Sequence, residues 1–342
     1  MAPGRSRRTP TPRSARPDAE RGGESRVADF ATRAEPHRRE LLVHCYRMLG
    51  SMPEAEDVVQ ETFLRAWRAW DRYDERAASV RTWLYKIATN ASLTALEGRA
   101  RRPLPSGLGA PSDDPRAPLV ASFEVPWLQP FPDARLDDPA RQVVHRGTLR
   151  LALVAAMQLL PARQRAVLIL RDVLEFSADE TAGLLDTSPA AVNSALQRAR
   201  AELSAAGPVA DDMPEPQDAV RRTVDRYVEA FEAADVARLV ELVSADVVLE
   251  MPPVPLWYRG AADYGRFIAR VFEMRGPRWR MVRYSANTEP AVAAYCADDE
   301  GVLRLHTFQV FTVRSGRIAH TYVFQDPAVL NAFRLPPVLT DR

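Results

Sequence analysis

The sequence predicts a multidomain protein: two all-α units followed by a C-terminal α+β domain. Three observations carry that expectation. Apolar residues recur three and four apart in two blocks, near residues 30–102 and 144–206, as one buried face of a packed helix requires. Proline-dense stretches, 103–143 and 207–217, flank the second block as linkers. From residue 218 to 342 the period changes: β-branched and aromatic runs join the helical pattern.

A chain of 342 residues has material for several separate cores. With 46% hydrophobic and 27% charged residues it reads as globular and excludes a fibre. No run approaches the ~18 apolar residues of a membrane span, and the N-terminus lacks an apolar signal core, so a cytoplasmic location is expected. A net charge of +1 argues against indiscriminate coating of nucleic acid. Distribution matters more than the sum: arginines crowd the first forty residues, 99–102 and 198–200, and Lys86 is the only lysine. Cys45 and Cys296 fall in different predicted domains, which excludes a disulfide framework or a zinc cluster. Neither metal nor cofactor is expected.

Residues 1–29 are rich in Pro, Gly, Ser and Arg with almost no large apolar side chain, and are expected to form a disordered basic arm. In the first block, Val58, Val59, Phe63, Ala66, Trp67 and Trp70 mark one helix face. Gly50 with Pro53 breaks the helix before it, and Asp74 to Val80 is a polar break before a helix carrying Trp83, Leu84, Ile87 and Ala91. In the second block Pro161 separates an entry helix from shorter ones. In the C-terminal domain TFQVFTV and RIAHTYVF are strands joined by a hairpin turn at Arg314-Ser315-Gly316-Arg317.

The segment FSADETAGLLDTSPAAVNSALQRARAEL has the grammar of a helix-turn-helix. Ser177 and Glu180 form a capping-box pattern, Asp186 and Thr187 supply a turn, and Ser188 with Pro189 starts a second helix. Val192, Leu196, Ala199 and Leu203 share its inner face. Ala190, Ala191, Asn193, Ser194, Gln197, Arg198 and Arg200 face outward with Ser188 at the start, where small residues admit the backbone to a major groove and Asn, Gln and Arg can read base edges or hold phosphate.

The segment LPARQRAVLILRDVLEFSADETAGLLDTSPAAVNSALQRARAEL resembles region four of sigma-70 family factors of the extracytoplasmic function group. That resemblance implies a reader of the promoter minus-thirty-five element that also docks on the flap of the polymerase β subunit. Asn193 and Ala195 depart from the basic residues many relatives carry there. The segment HRRELLVHCYRMLGSMPEAEDVVQETFLRAWRAWDRYDERAASVRTWLYKIATNASLTALEGRARR resembles region two of the same family. It implies that Glu56, Asp57, Gln60, Glu61 and Arg65 meet the clamp helices of the polymerase β′ subunit. Arg81, Trp83, Tyr85, Lys86, Asn90, Arg99, Arg101 and Arg102 would then face the minus-ten element, since unstacked bases need aromatic and hydrogen-bonding partners and phosphates need cations. Trp67 and Trp83 share faces with Phe63 and Ile87 and are also assigned to packing. The linker acids Asp113, Asp114, Asp133, Asp137 and Asp138 fit either mimicry of nucleic-acid charge or simple solubility.

The C-terminal domain resembles the SnoaL-like cone fold, which forms a pocket and serves both enzymes and idle regulatory domains. Glu250, Trp257, Tyr258, His306, His320, Tyr322 and Asp326 are its candidate ligand-pocket residues. No paired spacing identifies a reaction, so no catalytic residue is assigned. The expected function is a sigma factor that binds core RNA polymerase, reads both promoter elements and promotes melting, with this domain as regulator, tuned by a small ligand. A stand-alone helix-turn-helix regulator would have no use for the first block. An enzyme fused to a DNA-binding module would show turnover.

Overall fold

The structure, a computed structural model, describes residues 17–136, 147–205 and 216–339. The expected domain limits at 143, 144, 206 and 207 lie outside the described residues, as do Asp137, Asp138 and the arm up to residue 16.

Residues 17–29 are a correction: expected to be disordered, they begin α1 (Pro17–Ala34). Phe30 sits edge-on to Phe63, Trp67 and Trp70 at 5.2 to 6.2 Å. Arg26 lies 4.4 Å over the Trp67 ring, and Asp29 accepts a 3.1 Å bond from Trp70 Nε1. The helix is held by aromatic surface on its neighbours, which its own polar composition cannot reveal.

The first unit packs α2 (Arg38–Leu49), α3 (Met52–Ala69) and α4 (Val80–Leu96). Gly50 ends α2 at φ 67°, and a Cβ there would come within 2.8 Å of Leu128 from the linker, so the turn requires glycine. Ser79 caps α4 by accepting from Thr82 N.

The second unit comprises α5 (Leu151–Leu159), α6 (Ala162–Leu168) running into a single π turn, α7 (Ala178–Leu184) and α8 (Pro189–Ala205). The Ser177/Glu180 capping box is formed. Asp186 makes the turn at φ 49°, Ser188 accepts from Ala191 N, and Val192, Leu196 and Ala199 are buried.

The C-terminal domain sets α9 (Gln217–Glu232), α10 (Val236–Leu242) and α11 (Ala261–Arg275) against a curved sheet. The strands are β1 (Val243–Glu250), β2 (Trp257–Arg259), β3 (Trp279–Ala286), β4 (Glu289–Ala297), β5 (Leu303–Arg314) and β6 (Arg317–Phe324), in the order β2-β1-β6-β5-β4-β3. A short β7 (Val338–Leu339) pairs with β5, after α12 (Pro327–Ala332). Among the described strands only β1 and β6 run parallel to each other. Ser315 and Gly316, at φ 50° and 70°, close the expected hairpin. Strands β3 and β4 carry arginines and alanines that blur the strand signal in the sequence.

The sheet has two buried faces. On one, Leu249, Met281, Val292, Ala294 and Phe311 pack with Tyr227, Phe231, Phe267 and Ile268 of the covering helices. On the other, Ala293, Tyr295, Phe308, Val310, Tyr322 and Phe324 belong to an apolar cluster that continues through α2 to α8. At about 1.5–3 kcal/mol per large side chain kept from water, this shared core outweighs the surface ion pairs between the domains. The linker is a strap rather than a free tether. Ser112 N donates to Trp257 O at 2.8 Å, Ser122 N to Pro253 O at 2.9 Å, and Trp257 Nε1 to Gly109 O at 2.9 Å.

Candidate nucleic-acid interface

The outer face of α8 is open. Ser188, Ala190, Ala191, Asn193, Ser194, Gln197, Arg198 and Arg200 are all exposed, because the 3.6-residue period that buries Val192, Leu196 and Ala199 turns them outward. Arg198 donates to Ser194 Oγ at 2.7 Å. Arg200 makes a two-pronged pair with Asp172 at 2.7 and 2.9 Å, which keeps its guanidinium charged and anchors α8 to the π turn.

The α4 side is partly covered. Tyr85 is fully buried: its ring meets Phe176 of the second unit at 5.5 Å and its hydroxyl lies 3.3 Å from Glu40. Burial pushes that phenol up, and Tyr85 is packed core here rather than a face presented to a base. Arg81 pairs with Glu40 at 3.0 Å and lies over the rings of Tyr85 and Phe176. Lys86 Nζ reaches across to Asp186 and Gly183 of the helix-turn-helix. Trp83 is half-buried against Tyr73 and Trp70, while Asn90 is half-exposed. Arg99 and Arg102 both pair with Glu54, at 2.8 and 2.6 Å, and Arg101 is exposed. Of the α3 residues, Asp57, Gln60 and Arg65 are exposed. Glu61 pairs with Arg65 at 2.7 Å, and Glu56 with Arg135 of the linker at 2.9 Å.

Contacts that the sequence did not suggest hold the units together. Asn287, buried in the β3–β4 turn, donates through Nδ2 to Tyr46 Oη at 2.9 Å and Leu149 O at 2.7 Å. Its Oδ1 accepts from Phe131 N at 2.7 Å. Glu289 accepts from Leu151 N at 2.9 Å and Thr312 Oγ1 at 2.6 Å. Arg165, buried, donates to the Met48 carbonyl of α2 and to the Gln158 side chain. Burial lowers its guanidinium to about 10. Asn287 and Thr288 both take positive φ, 55° and 61°, so the Asn-Thr pair between two strand-like runs was the available signal.

The C-terminal domain encloses a cavity of about 280 Å³, into which His306 projects. Strand alternation sends Leu249, Met251, Thr321 and Val323 inward. Glu250, His320 and Tyr322 therefore fall on the opposite face, a correction to their assignment as pocket residues. There Glu250 binds His320 Nε2 at 2.9 Å and takes two bonds from Ser106 of the strap. Trp257 and Tyr258 bond the linker carbonyls of Gly109 and Asp114, and Asp326 caps α12 by accepting from Ala328 N. None of these six lines the cavity. Thr307 and Gln309 do, polar residues that no motif in the sequence marks.

Two helical units, one a helix-turn-helix with an open reading face, joined by a strap and followed by a cone-shaped domain, define a transcription initiation factor of the sigma type. The models for "Sigma-70 region 2", "Sigma-70, region 4" and "SnoaL-like domain" match residues 34–102, 150–203 and 224–321. The chain is 47% identical over 327 residues to the ECF RNA polymerase sigma factor SigG of Mycobacterium tuberculosis, covering 92% of this chain and 86% of that one. It is 27% identical over 304 residues to SigJ of the same species, across 86% of this chain and 90% of SigJ. The crystal structure of SigJ superposes with a TM-score of 0.62 at 24% identity, covering 91% of this chain and all of that one, a likeness of fold. The chain belongs to the extracytoplasmic function sigma factors of the sigma-70 family. It binds core RNA polymerase, recognises the promoter minus-thirty-five and minus-ten elements, and promotes DNA melting and transcription initiation.

Proposed function

We propose that the C-terminal domain regulates this sigma factor by holding its two promoter-reading units in a closed arrangement that must open on the promoter. The carrying observation is Asn287, which ties the sheet to the first unit, the linker and the start of the second unit at once. Distance supports the reading. Elements about 25 base pairs apart lie roughly 85 Å apart along B-DNA at about 3.4 Å per pair. Here α4 touches the helix-turn-helix through Lys86, so one closed molecule cannot engage both elements.

In the open form, the exposed face of α8 reads the minus-thirty-five element. The α4 face, with Arg81, Trp83, Lys86 and Asn90 and the downstream Arg99, Arg101 and Arg102, serves the minus-ten element. The α3 group of Glu56, Asp57, Gln60, Glu61 and Arg65 meets the β′ clamp helices, and the second unit docks on the β flap. The chain divides into units at 30–102, 144–206 and 218–342, with α1 laid against the first. The protein acts in the cytoplasm; among the described residues no helix is long and apolar enough to cross a membrane. The C-terminal domain serves as a regulator rather than an enzyme, a reading supported by the closed contacts it makes; among the described residues no Asp or Glu lines its cavity beside His306.

Transcription by reconstituted core polymerase, comparing the full chain with one truncated after residue 207, tests this. Release of the clamp should raise initiation several-fold. Equal activity and equal promoter choice would sink the regulatory reading while leaving the family assignment untouched.

A further inference from the structure

The cavity of the C-terminal domain has features the closed-state reading does not use. Its wall is apolar and aromatic, with Tyr227, Phe231, Phe267, Ile268 and Trp279 among its lining residues. Within it Gln309 is only 5% exposed. Its Nε2 donates to Thr307 Oγ1 at 3.2 Å, while Oε1 has no partner. A buried amide oxygen left without a donor is costly, and an occupant carrying an N–H or O–H would recover that cost.

The fixed charges among its described lining residues are Arg270, which is committed to the linker carbonyls, and Arg275, whose side chain is exposed to solvent that screens it. His306 is kept neutral at about 4 by burial, with the Arg275 charge adding to the shift. Size narrows the class further. An apolar cavity of about 150 Å³ holds benzene, so about 280 Å³ suits a fused two-ring body.

The rim belongs to the strap. Arg270 Nη1 donates to the carbonyls of Pro115 and Ala117, both at 2.7 Å, and this clamp sets Leu119 into the cavity wall. An occupant would thus touch the C-terminal domain and the linker together.

We infer that this cavity binds a small, uncharged, mostly apolar molecule with one hydrogen-bond donor aimed at Gln309 Oε1, and that the occupant, by contacting Leu119, ties the linker to the C-terminal domain. Linkage makes the effect reciprocal: what strengthens the strap strengthens binding, and binding strengthens the strap. This rests on the regulatory reading above, in which an occupant would reinforce the closed form.

Calorimetric titration of the full chain with 2-naphthol, naphthalene and 2-naphthoate tests the chemistry without polymerase or DNA, so its failure is separate from failure of the regulatory reading. One 2-naphthol should bind per chain, with the other two about tenfold weaker or worse. Gln309→Leu, nearly the same size, should erase the preference for 2-naphthol over naphthalene. Leu119→Ala, at the cavity rim, should weaken 2-naphthol several-fold. Trypsin cleavage after Arg116, between the two clamped carbonyls, should slow several-fold in wild type when 2-naphthol is present. No binding by the wild-type chain, equal affinity for the three probes, tighter binding of 2-naphthoate, or cleavage unchanged by 2-naphthol would overturn the proposal.

Discussion

Lys86, the only lysine in the chain, places its ammonium 2.8 Å from the Asp186 carboxylate and 2.9 Å from the Gly183 carbonyl. It thereby joins α4 of the first unit to the turn of the helix-turn-helix. The pair is open to water, its side chains 40% and 73% exposed, so it contributes at most about 1 kcal/mol. The weight of closure rests on the buried sheet face and on Asn287, and Lys86 reports the closed state more than it causes it.

Asp186→Asn, which removes the charge but keeps a residue tolerant of φ 49°, should therefore leave stability within about 1 kcal/mol of wild type while speeding acylation of Lys86 several-fold. Mass spectrometry after brief exposure to an amine-reactive ester reads this at a single lysine. A labelling rate equal to wild type would mean that the contact is not populated in solution.

Asn287→Ala removes three buried hydrogen bonds and leaves Phe131 N, Leu149 O and Tyr46 Oη short of partners. A loss of about 2–3 kcal/mol is expected. Urea unfolding should show the lower midpoint, and core-dependent transcription should rise as the clamp loosens. A variant that unfolds more easily without any gain in initiation would argue that Asn287 is structural only.

Stability should also depend on pH. Burial lifts the Asp133 carboxyl from 3.8 to about 6, although its Oδ1 accepts from Thr288 N at 2.9 Å. Glu289, buried nearby and 3.7 Å from Arg150, is raised by burial as well. A carboxyl with its folded pKa above its unfolded one binds more protons when folded between the two values. The folded state is therefore favoured below about pH 4 and loses that advantage as pH rises toward about 6. Asp133→Asn keeps an acceptor for Thr288 and should be more stable than wild type at pH 7, with a shallower slope from pH 4 to 6. Glu289 would supply the remainder of that slope. Urea midpoints across this range decide it; a variant weaker than wild type at pH 7 would refute the assignment.

On promoter DNA, Gln197→Ala and Arg198→Ala separate two kinds of contact. A side chain on a base edge should cost about 1–3 kcal/mol and relax preference at one position. A phosphate contact should weaken all sites evenly and reduce the salt dependence. Binding curves against single-position variants of the upstream element distinguish these outcomes for each residue.

Local rules made much of this molecule legible from its sequence. The Ser177/Glu180 box, the Ser188-Pro189 start and the period of Val192, Leu196 and Ala199 place the helix-turn-helix, because caps and helical period act within a few residues. The Gly50 break and the Ser315-Gly316 turn follow for the same reason: each needs a left-handed backbone that few residues supply. The limit of such rules shows at His320 and Tyr322. Alternation put them on one face of a strand, and only the curvature of the sheet, with helices on one side and strap and sigma units on the other, decided that this face lies away from the cavity.

The sequence by itself determined two helical units and an α+β domain, the open reading face of α8, and membership in a family of initiation factors. Periodicity, capping and motif order are properties of neighbouring residues. Only the tertiary structure decided that Tyr85 is core, that Lys86 faces Asp186, that Asn287 joins three segments and that Leu119 roofs a cavity. Those relations span from 100 to 241 positions for the bonded pairs Lys86–Asp186 and Tyr46–Asn287. They are set by which buried faces meet, a choice that no local pattern encodes.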